Sequence, residues 1–234
     1  HKARDLYFGT MHSHKLNTQT LHSLTTSYHS ELIFVLDYLC NIMKNYTGKE
    51  IKACIKLIMY NENDENDEII DVNKTVLTTF CRSSNSEIDR GLYEDRLENQ
   101  QIKLCDNTDF LDIIDNVNGS TIDYFYQGNL LEYDKVLKQQ GKRYKNSNEK
   151  WSDFYIGTIV VPIQIKFSKL YHQKKDDSNH VIGFLCIDSD VADAFELKQE
   201  KFNVNVVKSF ANIIYILLGQ YRHYLKKLNN DSKS

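Results

Sequence analysis

Proline is almost absent from this chain, and several other features are scarce enough to exclude whole classes of protein. The 234 residues include one proline, Pro162, and nine glycines, so Asn, Asp and Ser must form most of the turns. The five cysteines are odd in number and none is spaced as CxxC, which argues against a disulfide framework and a thiolate zinc site. No apolar run reaches the roughly 18 residues that a membrane span needs. We therefore expect a cytoplasmic chain without a membrane-spanning segment.

The charge balance excludes another class of partner. Lys and Arg together number 29, and Asp and Glu number 32, which gives a net charge of −3. No global basic field is therefore available to attract a nucleic-acid backbone. Hydrophobic residues make up 41% of the chain, which is enough for a folded core. The chain begins with His1 rather than Met, which leaves open an upstream segment such as a membrane anchor.

Two long amphipathic helices are predicted near the ends of the chain. Apolar residues recur at steps of three and four from Leu21 to Ile42 and again from Val207 to Leu228, which is the period of an α-helix. Gly48 supplies a stop for the first helix. We divide the chain into a polar lead-in at 1–17, an N-terminal helix at 18–48, a domain at 49–228 and a polar tail at 229–234.

Between these helices the sequence predicts strands joined by polar connectors. Strands are expected at 51–60, 75–81, 121–127, 155–165 and 181–188, and short helices at 107–116 and 130–139. An acidic connector at 61–71 joins the first two strands, and a hydrophilic segment at 167–180 joins the last two, so each pair is expected to be antiparallel. This order predicts an α+β fold with an antiparallel sheet and helices on one face.

Residues 155–195 match the pattern of a known family. The motif residues are, in chain order, Val161, Pro162, Ile163, Gly183, Leu185, Asp188, Ser189 and Phe195. This arrangement resembles the C-terminal half of a GAF domain of the bacterial sensory type, in which a strand ending in VPI precedes GxLxxDS, a phenylalanine and a closing helix. The segments NTDFLDIIDN at 107–116 and YFYQGNL at 124–130 also resemble the pocket-side helices of such sensors.

The resemblance implies a PAS-related antiparallel sheet of about six strands, with long N- and C-terminal helices packed together and a small-molecule pocket on the opposite face. Aromatic side chains with polar tips are common in such pockets, and an arginine is suited to an anionic ligand. The pocket candidates are Phe80, Arg82, Phe110, Tyr124, Tyr126, Trp151 and Tyr155. The alternative is that the aromatic residues fill the core, and that Arg82 and Arg90 lie in a solvated loop.

Three ligand classes of the family match the residues poorly, so no cofactor is assigned. Asn73-Lys74 and Phe80 match the start of a cyclic-nucleotide signature, but the Asp-Glu pair does not follow. No cysteine is followed by histidine, as bilin attachment usually requires. Cys81 and Cys105 lie in neighbouring segments and would form a redox pair in a reductase of the methionine-sulfoxide type, but they lack its glycines.

Neither a metal centre nor a catalytic motif is predicted. His12 with His14, and His22 with His29, lack an acidic partner at ligand spacing. The acidic connector lacks the glycine and the DxDxDG pattern of a calcium loop. No Gly-rich phosphate loop, GxSxG or HExxH motif occurs. We therefore expect no metal and no enzymatic activity.

The two terminal helices suggest a homodimer. Their apolar stripes are broader than one chain needs, and in GAF sensors such helices often pair between subunits. The dimer candidates are Leu21, Leu24, Leu32, Val35, Leu39, Phe210, Leu217 and Tyr221; the alternative is packing within one chain. The favoured function is a non-catalytic sensory or regulatory domain that binds a small molecule or signals through its terminal helices to a partner. The alternatives are a structural dimerisation module with an empty pocket and a thiol-dependent reductase.

Overall fold

The computed structural model describes residues 18–59, 71–88, 102–117, 123–165 and 180–231. The predicted lead-in at 1–17, most of the acidic connector, His12, His14, Arg90 and the segment 166–179 lie outside the described residues. The helices are α1 (Thr18–Thr47), α2 (Thr108–Val117), α3 (Leu130–Gln139) and α4 (Glu200–Asp231), with a further helical turn at 84–88. The strands are β1 (Lys52–Met59), β2 (Val76–Arg82), β3 (Ile102–Lys103), β4 (Phe125–Gln127), β5 (Gly157–Ile165) and β6 (His180–Ser189).

The strands form one antiparallel sheet in the order β3-β2-β1-β6-β5-β4. Both predicted strand pairs are confirmed, β1 with β2 and β5 with β6. The predicted α+β fold, with one antiparallel sheet of six strands, is likewise confirmed. Strand β3 was not predicted; it has two residues, which pair with Val76 and Leu77. The centre of the sheet is the pairing of β1 with β6, which brings the two ends of the domain together.

Alternation along the strands gives the sheet two apolar faces. One face packs against α1 and α4 and is called the helix face; Leu36, Ile55 and Ile214 are fully buried there. The other, called the second face, is covered by α2, α3 and the loop 140–156, with Phe110 and Phe184 in its core. The long terminal helices therefore share one face, as expected, and the short helices that resemble pocket-side helices cover the other.

The terminal helices run antiparallel to each other. Thr25 Oγ1 near the start of α1 hydrogen bonds to the Tyr221 hydroxyl near the end of α4, at 2.7 Å. At the other end of the pair, the rings of Tyr46 and Phe202 lie 4.5 Å apart. Contacts at both ends mean that a displacement of one helix along the sheet also displaces the other.

Three residues singled out in the sequence have local structural roles. Gly48 ends α1 in the left-handed region, with φ of 70°, and its N–H donates to the carbonyl of Lys44 at 2.7 Å. Gly183 lies against β1, where a Cβ atom would overlap the carbonyl oxygen of Lys56. Pro162 lies in β5 beyond the three residues that pair with β4. On the β4 side of Pro162 the described sheet therefore needs no backbone N–H donor, and a proline is tolerated there.

One helical segment in the described part of the chain is long and apolar enough to cross a membrane by length and composition alone. It runs from Leu197 to Arg222 and comprises the short turn before α4 and the first two thirds of α4. Core helices meet the same criterion, and here Val204, Val207, Ile214 and Leu218 are buried against the domain. The opposite side of α4 is mixed: Lys201, Asn205 and Ser209 are exposed there together with the apolar side chains of Phe202, Ile213 and Ile216.

Candidate functional site

The predicted pocket residues do not line one pocket, because the sheet separates them. Phe80 and Tyr126 belong to the core of the helix face, and Tyr124 packs against it. Phe110, Trp151 and Tyr155 belong to the second face, as does Arg82, which stands opposite Cys54. The prediction of a single aromatic wall was therefore wrong. Its cause is strand alternation, which points Tyr124 and Tyr126 away from their neighbour Phe125.

An aromatic cluster nevertheless exists on the second face, with a different membership. It consists of Phe125, Tyr133, Tyr144, Trp151 and Tyr155, whose neighbouring rings lie between 5.1 and 6.4 Å apart. The Tyr155 hydroxyl accepts a hydrogen bond from Asn146 at 2.7 Å. Phe125, Tyr144 and Tyr155 are buried, so the cluster packs the loop 140–156 onto the sheet, which was the alternative interpretation of these aromatics.

Tyr124 and Tyr126 instead connect β4 to the start of α4. The Tyr126 hydroxyl donates to the carbonyl of Glu196 at 2.9 Å and accepts from Asn203 at 3.0 Å. The Tyr124 hydroxyl donates to Glu200 Oε1 at 2.8 Å. Burial and this bond to Glu200 raise the pKa of Tyr124 to about 12. These bonds fix the first turn of α4 relative to the sheet.

A cavity of about 460 Å³ lies between α4 and the outer part of β5. This volume is within the range of small-molecule sites, roughly 300–1,000 Å³. Three lining residues come from the sheet side and four from the helix, and they are Asp123, Pro162, Gln164, Lys208, Asn212, Tyr215 and Ile216. None of the seven was a pocket candidate, because residues so far apart in sequence give no local signal. The cavity is on the α4 side of the domain and not on the second face.

The polar side chains beside this cavity are linked by an ion pair and a hydrogen bond, and one acceptor atom among them has no hydrogen-bond partner among the described residues. Lys208 forms an ion pair with the buried carboxylate of Asp123, and its ammonium lies 5.0 Å from the ring centroid of Tyr124. Gln164 Nε2 donates to Asp123 Oδ2 at 3.4 Å. Gln164 Oε1 is buried and has no hydrogen-bond partner among the described residues. Such an acceptor is costly unless a ligand or water donates to it.

A second group of polar residues lies on the second face, across the middle of the sheet. Arg82, Cys54 and Cys186 form one row over β2, β1 and β6. A hydrogen bond from Cys186 lowers the pKa of Cys54 to about 6, aided by the positive charges of Arg82 and Lys56 and opposed by burial. The same bond, together with burial, raises the pKa of Cys186. The row is therefore a buried dithiol in which one thiol is acidic.

Asp109, in the first turn of α2, is a buried carboxyl group beside this row. Burial raises its pKa from 3.8 to about 7, the negative charge of Asp188 adds to the rise, and a bond from the Phe110 N–H at 3.0 Å opposes it. Asp188 is itself buried and accepts a hydrogen bond from Thr158 Oγ1 at 2.7 Å. Asp109 is therefore a buried carboxyl group whose pKa is raised towards neutral pH, a property common at functional sites.

The structure does not bring together Cys81 and Cys105, which were considered as a redox pair only for the reductase alternative. Cys81 is buried on the helix face near the end of β2, whereas Cys105 follows β3, which pairs with the start of β2. Five residues of strand separate the two positions along β2, or roughly 16 Å at 3.3 Å per residue. The two thiols stay apart because these neighbouring segments of sequence meet opposite ends of the same strand.

The described residues contain no group of three or more His, Cys, Asp or Glu side chains that could hold a metal ion. Of the four histidines considered for a metal, His29 is the one whose side chain is described. Its ring lies 6.2 Å from that of Phe80 in an edge arrangement. His29 therefore packs beside an aromatic ring of the core.

Most of the predicted dimer residues are used within the chain. Leu32 and Leu39 are buried in the core of the helix face, and Tyr221 is buried with its ring 4.7 Å from that of Tyr28 on α1. The dimer contact cannot pass through these three side chains. Val35, Phe210 and Leu217 are half-buried against the same core, while the side chains of Leu21 and Leu24 lie outside the described part. The large apolar side chains exposed on α1 and α4 are Phe34, Tyr38, Tyr46, Phe202, Ile213 and Ile216.

No protein-family model matches the chain, and no curated protein matches its sequence. Among solved structures, the chain is similar to a type II free methionine-R-sulfoxide reductase from Thermoplasma acidophilum. The two chains are 14% identical, the match covers 83% of this chain and 96% of the reductase, and the TM-score is 0.43. It is also similar to a far-red cyanobacteriochrome photoreceptor, with 10% identity, coverage of 87% and 96%, and a TM-score of 0.35. Both scores are low, so neither similarity assigns a function.

Proposed function

We propose that this chain is a non-catalytic sensory or regulatory domain of GAF type that binds a small molecule beside α4. The observation that carries the proposal is the cavity between β5 and α4. Gln164 lines it, and the buried Oε1 of Gln164 has no hydrogen-bond partner among the described residues. A binding site needs apolar walls with a few placed polar groups. Here Pro162, Tyr215 and Ile216 supply the walls, and Gln164 supplies an acceptor for an N–H or O–H of the ligand.

The position of the cavity suggests how binding would be transmitted. Lys208, Asn212 and Ile216 line it at successive turns of α4, so an occupant would contact the helix along about two turns. Because α4 packs antiparallel against α1, a shift of α4 would also shift α1. A ligand moves this equilibrium only by its difference in affinity for the two helix positions. The partner or further module that reads the shift is proposed to contact these helices.

A thermal-shift screen with nucleotides, amino acids and small metabolites tests the proposal. A compound present at 100 times its dissociation constant stabilises the folded chain by about 2.7 kcal/mol, which is a shift of several degrees. Gln164→Leu should abolish the shift, and Val136→Gln, an exposed site on α3, should preserve it. A library without a single stabilising compound would contradict the sensor and favour a structural module with an empty pocket.

We also propose a homodimer, through a different surface from the predicted one. Phe34 is 72% exposed, and Tyr38 and Ile213 are about half exposed, so the outer side of the α1–α4 pair presents large apolar side chains. Light scattering at micromolar concentration should give twice the monomer mass, and Phe34→Asp should reduce it to the monomer mass. The matched control is Val136→Asp on α3. A wild-type chain that is monomeric throughout would contradict this proposal.

A thiol-dependent reductase is the alternative that must be tested against the sensor. Cys105 is the one cysteine of the five that is not buried, which makes it the thiol most accessible to a substrate. Reduction of free methionine sulfoxide that disappears in Cys105→Ser would replace the sensor proposal. Its absence, together with a stabilising ligand, would support a non-catalytic domain. We keep the cytoplasm as the proposed location of either activity.

A further inference from the structure

Cys54 and Cys186 stand directly opposite each other in the two central strands of the sheet. Directly opposed residues of an antiparallel pair point to the same face, with Cα atoms about 4.5 or 5.5 Å apart. A disulfide spans Cα distances of about 4.4–6.8 Å. The Cα spacing therefore fits a disulfide, and the two thiols are in hydrogen-bond contact.

In the described sheet, neither Cys81 nor Cys105 stands opposite another cysteine, and Cys40 lies outside the sheet. All five cysteines lie within the described residues, and none of them is in a disulfide. Cys81 stands opposite Ile55 on the helix face, Cys40 lies on α1, and Cys105 lies in the turn after β3, with its sulfur 3.8 Å from Asp106 Oδ1. The sheet register thus selects one pair from the five.

We propose that Cys54 and Cys186 form a redox-active dithiol that a small hydroperoxide converts to a cross-strand disulfide. The proposal is independent of whether the domain binds a ligand beside α4. In the first step the Cys54 thiolate attacks the O–O bond of the peroxide, which releases the distal oxygen as water or alcohol after protonation and leaves Cys54 as a sulfenic acid. In the second step the Cys186 sulfur attacks that sulfenic sulfur, the S–S bond forms, and the hydroxyl leaves as water with the Cys186 proton. Two thiols lose two electrons, and the peroxide gains them.

The surroundings of the pair fit this chemistry. Thiolate is the reactive form of cysteine, and the Arg82 guanidinium and the Lys56 ammonium provide positive charge near Cys54. Both positions are fixed, since Arg82 Nη1 donates to Ser86 Oγ at 3.1 Å and Lys56 Nζ to Thr79 Oγ1 at 3.0 Å. Both thiols are nearly fully buried, so the oxidant must be as small as hydrogen peroxide. Glutathione disulfide is too large to reach them.

Peptide mapping of the wild-type chain tests the proposal. It needs no substitution, so the result does not depend on whether a variant folds. The reduced, native protein is treated with hydrogen peroxide or with glutathione disulfide, denatured, alkylated and digested without reductant. We expect a crosslinked peptide pair containing Cys54 and Cys186, two hydrogens lighter than the separate peptides, after peroxide and not after glutathione disulfide. Cys40 and Cys81 should remain alkylated in both samples.

A second measurement uses variants in which one cysteine is replaced and Cys54 and Arg82 are kept. In Cys186→Ser, Cys54 cannot form the disulfide and should instead accumulate as sulfenic or sulfinic acid, whereas Cys81→Ala should still give the crosslink. Full alkylation of both Cys54 and Cys186 after peroxide, or a disulfide that joins either one to Cys105, would overturn the proposal.

Discussion

The carboxyl group of Asp109 gives the sharpest quantitative expectation. It is 4% exposed, and in the described structure its hydrogen bond comes from the Phe110 N–H. Burial raises its pKa from 3.8 to about 7. The folded state therefore holds a proton that the unfolded chain has released, and the chain loses stability as the pH rises between these two values.

The size of the effect follows from the two pKa values. Each pKa unit corresponds to about 1.4 kcal/mol, so the whole rise corresponds to about 4 kcal/mol. This stability is present below pH 3.8 and is lost as the pH rises through about 7. Between about pH 5 and about pH 8, the wild type should lose about 3 kcal/mol from this group. Asp109→Asn cannot ionise and should not show this loss.

Urea unfolding of both proteins at the two pH values measures the difference directly. Any fixed cost of the buried amide cancels, because it is the same at both pH values, as does titration of groups that the two proteins share. Asp115→Asn, an exposed carboxylate on the same helix, is the control and should follow the wild type. If the difference between wild type and Asp109→Asn were the same at both pH values, the carboxyl would be hydrated and the burial argument would be refuted.

Two matched pairs of substitutions test the packing. Gly183→Ala should destabilise the chain by about 1–3 kcal/mol, because its Cβ would overlap the backbone of β1. Gly219→Ala, in open space on α4, should stabilise it by roughly 0.5–1 kcal/mol. Ile214→Ala should cost about 2–5 kcal/mol because the side chain is fully buried, whereas Ile216→Ala, which is 58% exposed, should change stability by about 0.5 kcal/mol or less. Urea unfolding checks all four, and a reversed order within either pair would contradict the assigned environment.

Local pattern was sufficient for most elements of the fold. The steps of three and four in α1 predicted its extent to within a residue at the Gly48 stop, and the helix Leu130–Gln139 was predicted at its observed bounds. Both helices could be predicted because the spacing of apolar residues over successive helical turns can be read from the sequence. β3 was missed because a two-residue strand is too short to show a period.

The same helical pattern could not say what covers the apolar stripe. Leu32 and Leu39 recur at helical spacing whether they meet a second subunit or their own sheet, and here they meet the sheet. The residues left exposed, Phe34 and Tyr38, occupy the opposite side of the helix. The repeat of apolar residues therefore identifies the face of a helix that is buried, but not what covers that face. A dimer prediction also requires the position of the sheet relative to the helix.

The sites differ from the prediction for a reason that lies in the strands. Residues adjacent in a strand, such as Phe125 and Tyr126, point to opposite faces of the sheet. Consecutive aromatic residues therefore divide between the cores of the two faces and cannot line a single pocket. Conversely, Cys54 and Cys186 are far apart in sequence and stand opposite each other, as do the sheet and helix residues of the α4 cavity. Alternation can be read from one strand alone, but register between β1 and β6 depends on tertiary packing. Both candidate sites depend on that register or on the docking of α4, and therefore only the three-dimensional structure could identify them.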